Sequence, residues 1–252
     1  MLFNIEGKRI LVTGSTSGLG YVLAEGLAKA GASVILNGRT QEKVEAAVNA
    51  FINKGYKAFG HTFDITDASE VERQITEIEK NFGPIDVLVN NAGIQHRAPL
   101  EEFKLEDWNK VINTNLTGAF VVSKAVVKGM IQRQSGKIIN ICSLQSELAR
   151  PSIAPYATAK GGLKMLTRGM ATEWAKYNIQ VNAIGPGYFK TDMTRALYEN
   201  QEFDTWLCKR TPANRWGNPE ELIGTLIFLA SNASSFVNGQ IVYVDGGITA
   251  CI

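Results

Sequence analysis

The chain is short of the residues that build disulfide frameworks and metal sites. Its 252 residues include only three cysteines and two histidines, and Cys142, Cys208 and Cys251 lie far apart without any C-x-x-C spacing. Widely separated cysteines in an odd number argue against a disulfide scaffold and against a structural zinc site. Such cysteines suit the reducing cytosol, so we expect a cytoplasmic protein without a metal.

Long apolar runs and blocks of like charge are also missing. The 26 basic and 24 acidic residues are scattered along the chain, so there is no stripe for nucleic acid and no patch for a membrane surface. The longest apolar stretch, 222–230, is too short to span a bilayer, and the first residues lack the pattern of a secretory signal. We therefore expect neither a nucleic-acid partner nor a membrane partner.

Seven short apolar runs alternate with longer amphipathic segments. Alternation of this kind predicts a parallel sheet with helices on both faces and right-handed crossovers. No Pro- or Ser-rich linker divides the chain, and its apolar content of 45% is enough for one full-sized core. We predict an α/β protein with a single domain, 1–252, of the doubly wound Rossmann type. The predicted strands are 10–12, 34–36, 58–62, 87–89, 138–141, 180–183 and 241–244.

The segment 185–215 is the least regular part of the chain. It contains Pro186, Gly187 and Pro212 around two short helix-like pieces. A long excursion after a strand is where a lid over a substrate site would lie. We therefore predict a substrate lid at 185–215.

A glycine-rich loop follows the first predicted strand. Gly14, Gly18 and Gly20 have the spacing G-x-x-x-G-x-G, and helical periodicity begins at Gly20. The loop thus leads into a helix N-terminus, where free N–H groups and the helix dipole favour an anion. Glycines let a pyrophosphate approach the backbone closely. The pattern predicts a dinucleotide-binding loop, and the alternative is an ordinary glycine-rich turn.

The end of the second predicted strand bears on the type of dinucleotide. The stretch 36–40 contains Arg39 and no acidic residue. A carboxylate there would bind a free ribose 2′-hydroxyl and repel a 2′-phosphate, whereas a guanidinium pairs with that phosphate. Arg39 therefore predicts NADP(H), the alternative being a solvated surface arginine. We expect Asp64, after the third strand, at the adenine amino group; its alternative is a turn or a helix N-cap.

Tyr156 and Lys160 form a candidate proton-transfer pair. They are four residues apart and, with Pro155 at the start of a helix, share one helical face. An ammonium close to a phenol lowers the pKa of the phenol from about 10. Because such pairs also occur by chance, their meaning depends on position. We expect this pair to meet Ser143 and the stretch 90–93 at the carboxyl edge of the sheet.

With Asn90-Asn91-Ala92-Gly93, Asn115 and Pro186-Gly187, these motifs resemble the short-chain dehydrogenase/reductase family over the whole chain. The resemblance implies that Tyr156 is the general acid/base and that Ser143 binds the substrate oxygen. It implies that Lys160 binds the nicotinamide ribose and lowers the pKa of Tyr156, while Asn115 holds a water that relays protons to Lys160.

The resemblance also implies the remaining cofactor contacts and the assembly. Related enzymes that use NADP often have a basic residue where this chain has Ser17, so the preference for NADP(H) depends mainly on Arg39. A homotetramer is implied, joined through helices near 106–132 and 155–177. The expected cofactor-binding residues are Gly14, Ser15, Ser17, Gly18, Leu19, Gly20, Arg39, Asp64, Ile65, Asn91, Ala92, Gly93, Tyr156, Lys160, Pro186, Gly187 and Thr191.

Three further stretches, 93–97, 140–148 and 206–213, resemble the gluconate 5-dehydrogenases within that family. A sugar acid needs a cation for its carboxylate and short polar groups for its hydroxyls. The expected substrate residues are Arg97, Ser143, Gln145, Glu147 and Tyr156.

Several alternatives stay open from the sequence. His96 is a candidate substrate donor or an exposed loop residue without a role, and Glu147 could instead cap a turn or pair with Arg150. For the function, the alternatives are a 3-oxoacyl-[acyl-carrier-protein] reductase and another keto-sugar or polyol reductase.

Overall fold

The structure, a computed structural model, describes residues 1–251. All seven predicted strands are present, and they form one parallel sheet with the order β3-β2-β1-β4-β5-β6-β7. This arrangement confirms the prediction of a doubly wound fold. The strands are β1 (Arg9–Val12), β2 (Ser33–Gly38), β3 (Ala58–Thr62), β4 (Val87–Asn90), β5 (Gly136–Ile141), β6 (Ile179–Pro186) and β7 (Ile241–Val244).

Helices connect successive strands, and a π-helical turn at Asn113–Thr117 joins two of them, α4 and α5. The helices are α1 (Gly18–Lys29), α2 (Gln41–Asn53), α3 (Ala68–Phe82), α4 (Leu105–Ile112), α5 (Gly118–Arg133), α6 (Ala154–Trp174), α7 (Arg195–Tyr198), α8 (Gln201–Arg210) and α9 (Ile223–Ala230). Within residues 1–251, no helix combines the length and the apolar character needed to cross a membrane.

The side chains of each strand alternate between two cores, one on each face of the sheet. In β1, Ile10 points to a core that includes Phe51 of α2 and Leu226 of α9. Leu11 points to the opposite core, which includes Ile78 of α3 and Val126 of α5. Burial on both faces explains why these strands read as nearly continuous apolar runs.

The register of the central strands brings their carboxyl ends to one edge. Val12 pairs with Leu36 on one side and with Val89 on the other. The chain order reverses between β1 and β4, which is the position where doubly wound sheets bind ligands. The loops after β1, β2, β4, β5 and β6 therefore surround a single place.

The irregular segment after β6 is packed against the end of the chain. It contains a 3-10 turn at Asp192–Thr194, then α7 and α8. Leu207 of α8 is fully buried beside Trp216 and Ile248. Nε1 of Trp216 donates a hydrogen bond of 2.6 Å to Asp204, which ties α8 to the chain that follows it.

Candidate active site

A cavity of about 470 Å³ opens at the carboxyl edge of the sheet, a size typical of ligand sites. It extends from the glycine loop to Tyr156 and Lys160. All of the expected cofactor-binding residues except Ser15 line this cavity. The structure thus brings together side chains from the loops after β1 to β6.

The glycine loop has the geometry of an anion cradle. Gly14 has a φ of 62°, and a Cβ on it would lie 2.8 Å from Cα of Ala92. A Cβ on Gly20 would lie 2.3 Å from the carbonyl oxygen of Gly14. Ser17 makes no side-chain cap at the start of α1, so the first N–H groups of the helix are free for a phosphate. These features fit a pyrophosphate better than they fit an ordinary turn.

Side chains from neighbouring strands hold this loop in place. Oδ1 of Asn37 accepts from the N–H of Gly14 at 3.2 Å, and Nδ2 of Asn91 donates to the carbonyl oxygen of Gly14 at 3.1 Å. Ser15 is fully buried; its hydroxyl donates to the carbonyl of Val12 at 2.7 Å and its N–H to that of Asn37 at 2.9 Å. Both donors of Ser15 are used inside the protein, and its contact with the cofactor stays a prediction.

The far end of the cavity has two cations. Arg39 and Lys43 line it together with Thr16 and Thr40, and both cations are exposed. No carboxylate in residues 1–251 lies within ion-pair distance of either. The sequence interpretation missed Lys43. A basic residue in the first turn of the helix after β2 is the signal that could have found it.

Asp64 has the turn role that one of the two sequence alternatives described, and its contact with the adenine stays a prediction. Its Oδ1 accepts from the N–H of Thr66 at 2.9 Å and from the Thr66 hydroxyl at 2.7 Å, so it closes a turn. It also lines the cavity. The turn holds the carboxylate at the cavity wall.

Ser143, Tyr156 and Lys160 meet at the opposite end of the cavity. Ser143 follows β5, and its hydroxyl oxygen accepts from the N–H of Gln145 at 3.1 Å. Nζ of Lys160 lies 5.6 Å from the ring centroid of Tyr156 and donates to the carbonyl oxygen of Ile141 at 2.6 Å. Helix α6 presents both residues from consecutive turns.

Burial shifts the pKa values of both Tyr156 and Lys160. It raises the pKa of Tyr156 to about 12, against which a hydrogen bond with Ser143 acts. Burial also lowers the pKa of Lys160. Desolvation of the phenolate is the largest cause of this rise, and the expectation that Lys160 lowers the pKa of Tyr156 stays a prediction. The phenol is therefore protonated at neutral pH.

Asn115 lies beside the cavity without lining it. Its Oδ1 accepts from the N–H of Ile94 at 2.7 Å, and its Nδ2 donates to the Ile94 carbonyl at 2.8 Å. Both side-chain groups are thus used to hold the loop after β4, of which Ile94 lines the cavity. Asn115 lies in the π-helical turn, and the expectation that it holds a proton-relaying water stays a prediction.

Of the expected substrate residues, only Ser143 and Tyr156 line the cavity. Glu147 is exposed and forms an ion pair with Lys164, and it accepts a hydrogen bond of 2.8 Å from Tyr243. Its carboxylate therefore belongs to a surface cluster. Within residues 1–251 it forms no ion pair with Arg150, and its substrate role stays a prediction.

Gln145 and His96 have different surroundings. Gln145 is buried, and its Oε1 has no hydrogen-bond partner in residues 1–251, which leaves an acceptor for a ligand. His96 is exposed, 3.6 Å from the carboxylate of Asp107, and packs edge-on against Phe103. This contact gives His96 a local structural role.

A family model described as "Enoyl-(Acyl carrier protein) reductase" matches residues 14–249. The chain belongs to the short-chain dehydrogenase/reductase family. This dehydrogenase/reductase is 55% identical over 251 residues to the 5-keto-D-gluconate 5-reductase of Escherichia coli (strain K12), covering 100% of this chain and 99% of that protein.

Two other relatives of this dehydrogenase/reductase match it over its full length. The 2-dehydro-3-deoxy-D-gluconate 5-dehydrogenase of Formosa agariphila is 52% identical, covering 100% of this chain and 96% of the relative. The gluconate 5-dehydrogenase of Burkholderia cenocepacia J2315, solved in complex with NADP and tartrate, has a TM-score of 0.98 at 52% identity, covering 100% of this chain and 98% of that one.

Proposed function

We propose that this oxidoreductase interconverts D-gluconate and 5-keto-D-gluconate with NADP(H). The observation that carries the proposal is that one cavity joins the anion cradle and two exposed cations to Ser143, Tyr156 and Lys160. The 5-keto-D-gluconate 5-reductase at 55% identity and the related enzyme that binds NADP and tartrate, a small hydroxy acid, support it.

Different residues of the protein bind different parts of the cofactor. The N-terminus of α1 binds the pyrophosphate, and Arg39 and Lys43 bind the 2′-phosphate, which suits a guanidinium and an ammonium without carboxylate partners. A bound nicotinamide supplies the hydride for reduction of the C5 carbonyl or accepts it from the C5–H bond. Asn91 and Gly93 border the ribose side.

Ser143 and Tyr156 handle the proton. During reduction the carbonyl π bond breaks, a C–H bond forms at C5, and the oxygen becomes an alkoxide. The Tyr156 phenol, protonated because burial raises its pKa to about 12, donates its proton to that oxygen. Ser143 accepts from Gln145 and keeps its own proton to stabilise the same oxygen. The Lys160 ammonium then faces the phenolate that remains.

The substrate enters beside the irregular segment. Thr191 and Met193 of that segment line the cavity, and Met193 is 53% exposed. We assign the segment 185–215 as a lid over cofactor and substrate. Arg97, three residues after the cavity-lining Ile94, provides the cation for the gluconate carboxylate.

We propose a homotetramer located in the cytoplasm. Phe120 on α5 and Met165 on α6 are 44% and 58% exposed, and exposed apolar side chains on adjacent helices suit a contact with a second copy. The free cysteines suit a reducing compartment. Gel filtration of the wild type and of Met165→Lys tests the assembly, and an unchanged elution volume for the variant would argue against this contact.

Initial rates of NADPH oxidation test the proposed activity. We expect turnover with 5-keto-D-gluconate and, in the reverse direction, with D-gluconate and NADP⁺. The matched comparisons are 2-dehydro-3-deoxy-D-gluconate, the substrate named for a 52%-identical relative, a neutral hexitol and an acetoacetyl thioester. Higher kcat/KM for one of these three compounds would replace the proposed substrate.

A further inference from the structure

Two arginines in neighbouring loops, Arg97 and Arg150, lack acidic partners within residues 1–251. No carboxylate in the described part of the chain lies within ion-pair distance of Arg97 or Arg150. Their loops are joined by a hydrogen bond of 3.2 Å from the N–H of Ala98 to the carbonyl of Ser152. Burial, and then the charge of Arg150, lower the pKa of Arg97. The hydrogen bond makes the two loops neighbours, and each carries a positive charge.

The Arg150 guanidinium is held by an aromatic ring of the lid. Its carbon Cζ lies 5.1 Å from the ring centroid of Phe203 on α8, a distance typical of a cation–π contact. Phe203 packs in turn on Tyr188 at 5.8 Å and on Trp206 at 5.3 Å between ring centroids. This contact places the Arg150 guanidinium against the ring of Phe203.

Tyr188 places the two arginines on the substrate side of the site. It lies between Gly187 and Phe189, which both line the cavity. Its ring packs on that of Phe203, the ring that contacts Arg150. Phe203 and Tyr188 thus connect Arg150 to the cavity wall at Gly187, and the hydrogen bond between Ala98 and Ser152 connects the loop of Arg97 to that of Arg150.

We infer that Arg150 is a second carboxylate ligand, which together with Arg97 binds the acid group of the substrate and selects sugar acids over neutral polyols. This inference rests on the proposed function. Two adjacent guanidiniums without a counterion are stabilised by an anion between them. A carboxylate accepts hydrogen bonds from both guanidiniums and offsets their positive charges, whereas a neutral hydroxymethyl group does not offset them. Phe203 is a positioning residue, and through it the bound carboxylate contacts the lid.

The test compares D-gluconate with D-gluconamide, a neutral analogue that differs only at the acid group. We expect Arg150→Gln to lower kcat/KM for D-gluconate about tenfold or more, the loss of one charge-assisted contact, and to change that for D-gluconamide less than about twofold. Arg150→Lys keeps the positive charge but loses the paired N–H donors of the guanidinium. Its kcat/KM for D-gluconate should therefore lie between those of the wild type and Arg150→Gln. The control is Arg73→Gln, an exposed α3 arginine paired with Glu70, which removes the same charge.

A titration with tartrate in the presence of NADP⁺, followed by tryptophan fluorescence, reports binding without turnover. Trp206 lies against Phe203 and provides the signal. We expect the apparent Kd to rise about tenfold in Arg150→Gln and to stay unchanged in Arg73→Gln.

Two results would overturn the assignment of Arg150. One is an equal loss on D-gluconate and D-gluconamide, which with a lower melting temperature would reduce Arg150 to packing on Phe203. The other is unchanged tartrate binding in Arg150→Gln. If the wild-type enzyme turned over neither compound, the proposed function would fail, while the tartrate titration would still decide the role of Arg150.

Discussion

Replacing Arg39 should change the choice between NADPH and NADH in a way that the structure quantifies. Arg39 lines the cavity beside Lys43, Thr16 and Thr40. A hydrogen bond to a charged group contributes about 1.5 to 3 kcal/mol, and Arg39 is exposed, so solvent screening favours the lower end. Since about 1.4 kcal/mol is tenfold, we expect Arg39→Gln to raise the Kd for NADPH about tenfold.

Lys43 should contribute less, because its ammonium is a point charge on a flexible stem. We expect Lys43→Gln to raise the Kd for NADPH about threefold. Binding of NADH, which has no 2′-phosphate, should change less than about twofold in either variant. Lys29→Gln, an exposed lysine of α1 outside the cavity, is the matched control.

The assay is a fluorescence titration of each variant with NADPH and with NADH at low and high ionic strength. The ratio of the Kd for NADH to the Kd for NADPH should decrease between about 0.05 M and about 0.5 M salt, because salt screens the two exposed cations. Equal weakening of NADPH and NADH by Arg39→Gln would refute the reasoning, since it would mean that Arg39 does not contact the 2′-phosphate.

A gain of NADH binding needs more than one substitution. A Cβ on Gly38 would lie 2.7 Å from Cγ2 of Thr16, so Gly38→Asp alone would force Thr16 to move. The combination of Gly38→Asp with Thr16→Ala makes room for a carboxylate that accepts from the free ribose hydroxyl. We expect this double variant to bind NADH more tightly than NADPH, and a retained preference for NADPH would contradict the placement of the ribose.

Three further predictions address the proton donor, the cradle and a buried charge. Tyr156→Phe should lower kcat by about 100-fold or more with an unchanged Kd for NADPH; substantial turnover would exclude Tyr156 as the acid. In Gly20→Ala, the new Cβ would lie 2.3 Å from a carbonyl oxygen, so NADPH binding should be lost; Gly224→Ala, with open space around it, should keep it. Burial, with repulsion from Lys8, lowers the pKa of Lys137 from 10.5 to about 8. The folded state then binds fewer protons than the unfolded state between these values, so the stability of the wild type relative to Lys137→Met should rise by about 3 kcal/mol from pH 8 to pH 10.5; parallel urea curves at both ends would contradict this.

The sequence by itself determined the architecture and the chemistry-bearing motifs. Strands buried on both faces appear as short apolar runs, and this signal is local, so all seven could be located. The glycine spacing reflects a tight turn of the backbone. This turn depends on three glycines that are close together in sequence, so the signal is local as well. The spacing of Tyr156 and Lys160 follows from the helix repeat.

Only the tertiary structure decided which polar groups remain free for a ligand. The hydroxyl and N–H of Ser15 donate to the carbonyls of Val12 and Asn37. The carboxylate of Glu147 is bound by Lys164 and by Tyr243, which is 96 residues away in sequence. Packing from distant elements also buries Tyr156, and this burial raises the pKa of its phenol. The spacing of residues in the sequence predicts which face of a helix or strand a side chain occupies. Its hydrogen bonds and its desolvation depend on residues remote in sequence, because only the three-dimensional packing brings those residues into contact.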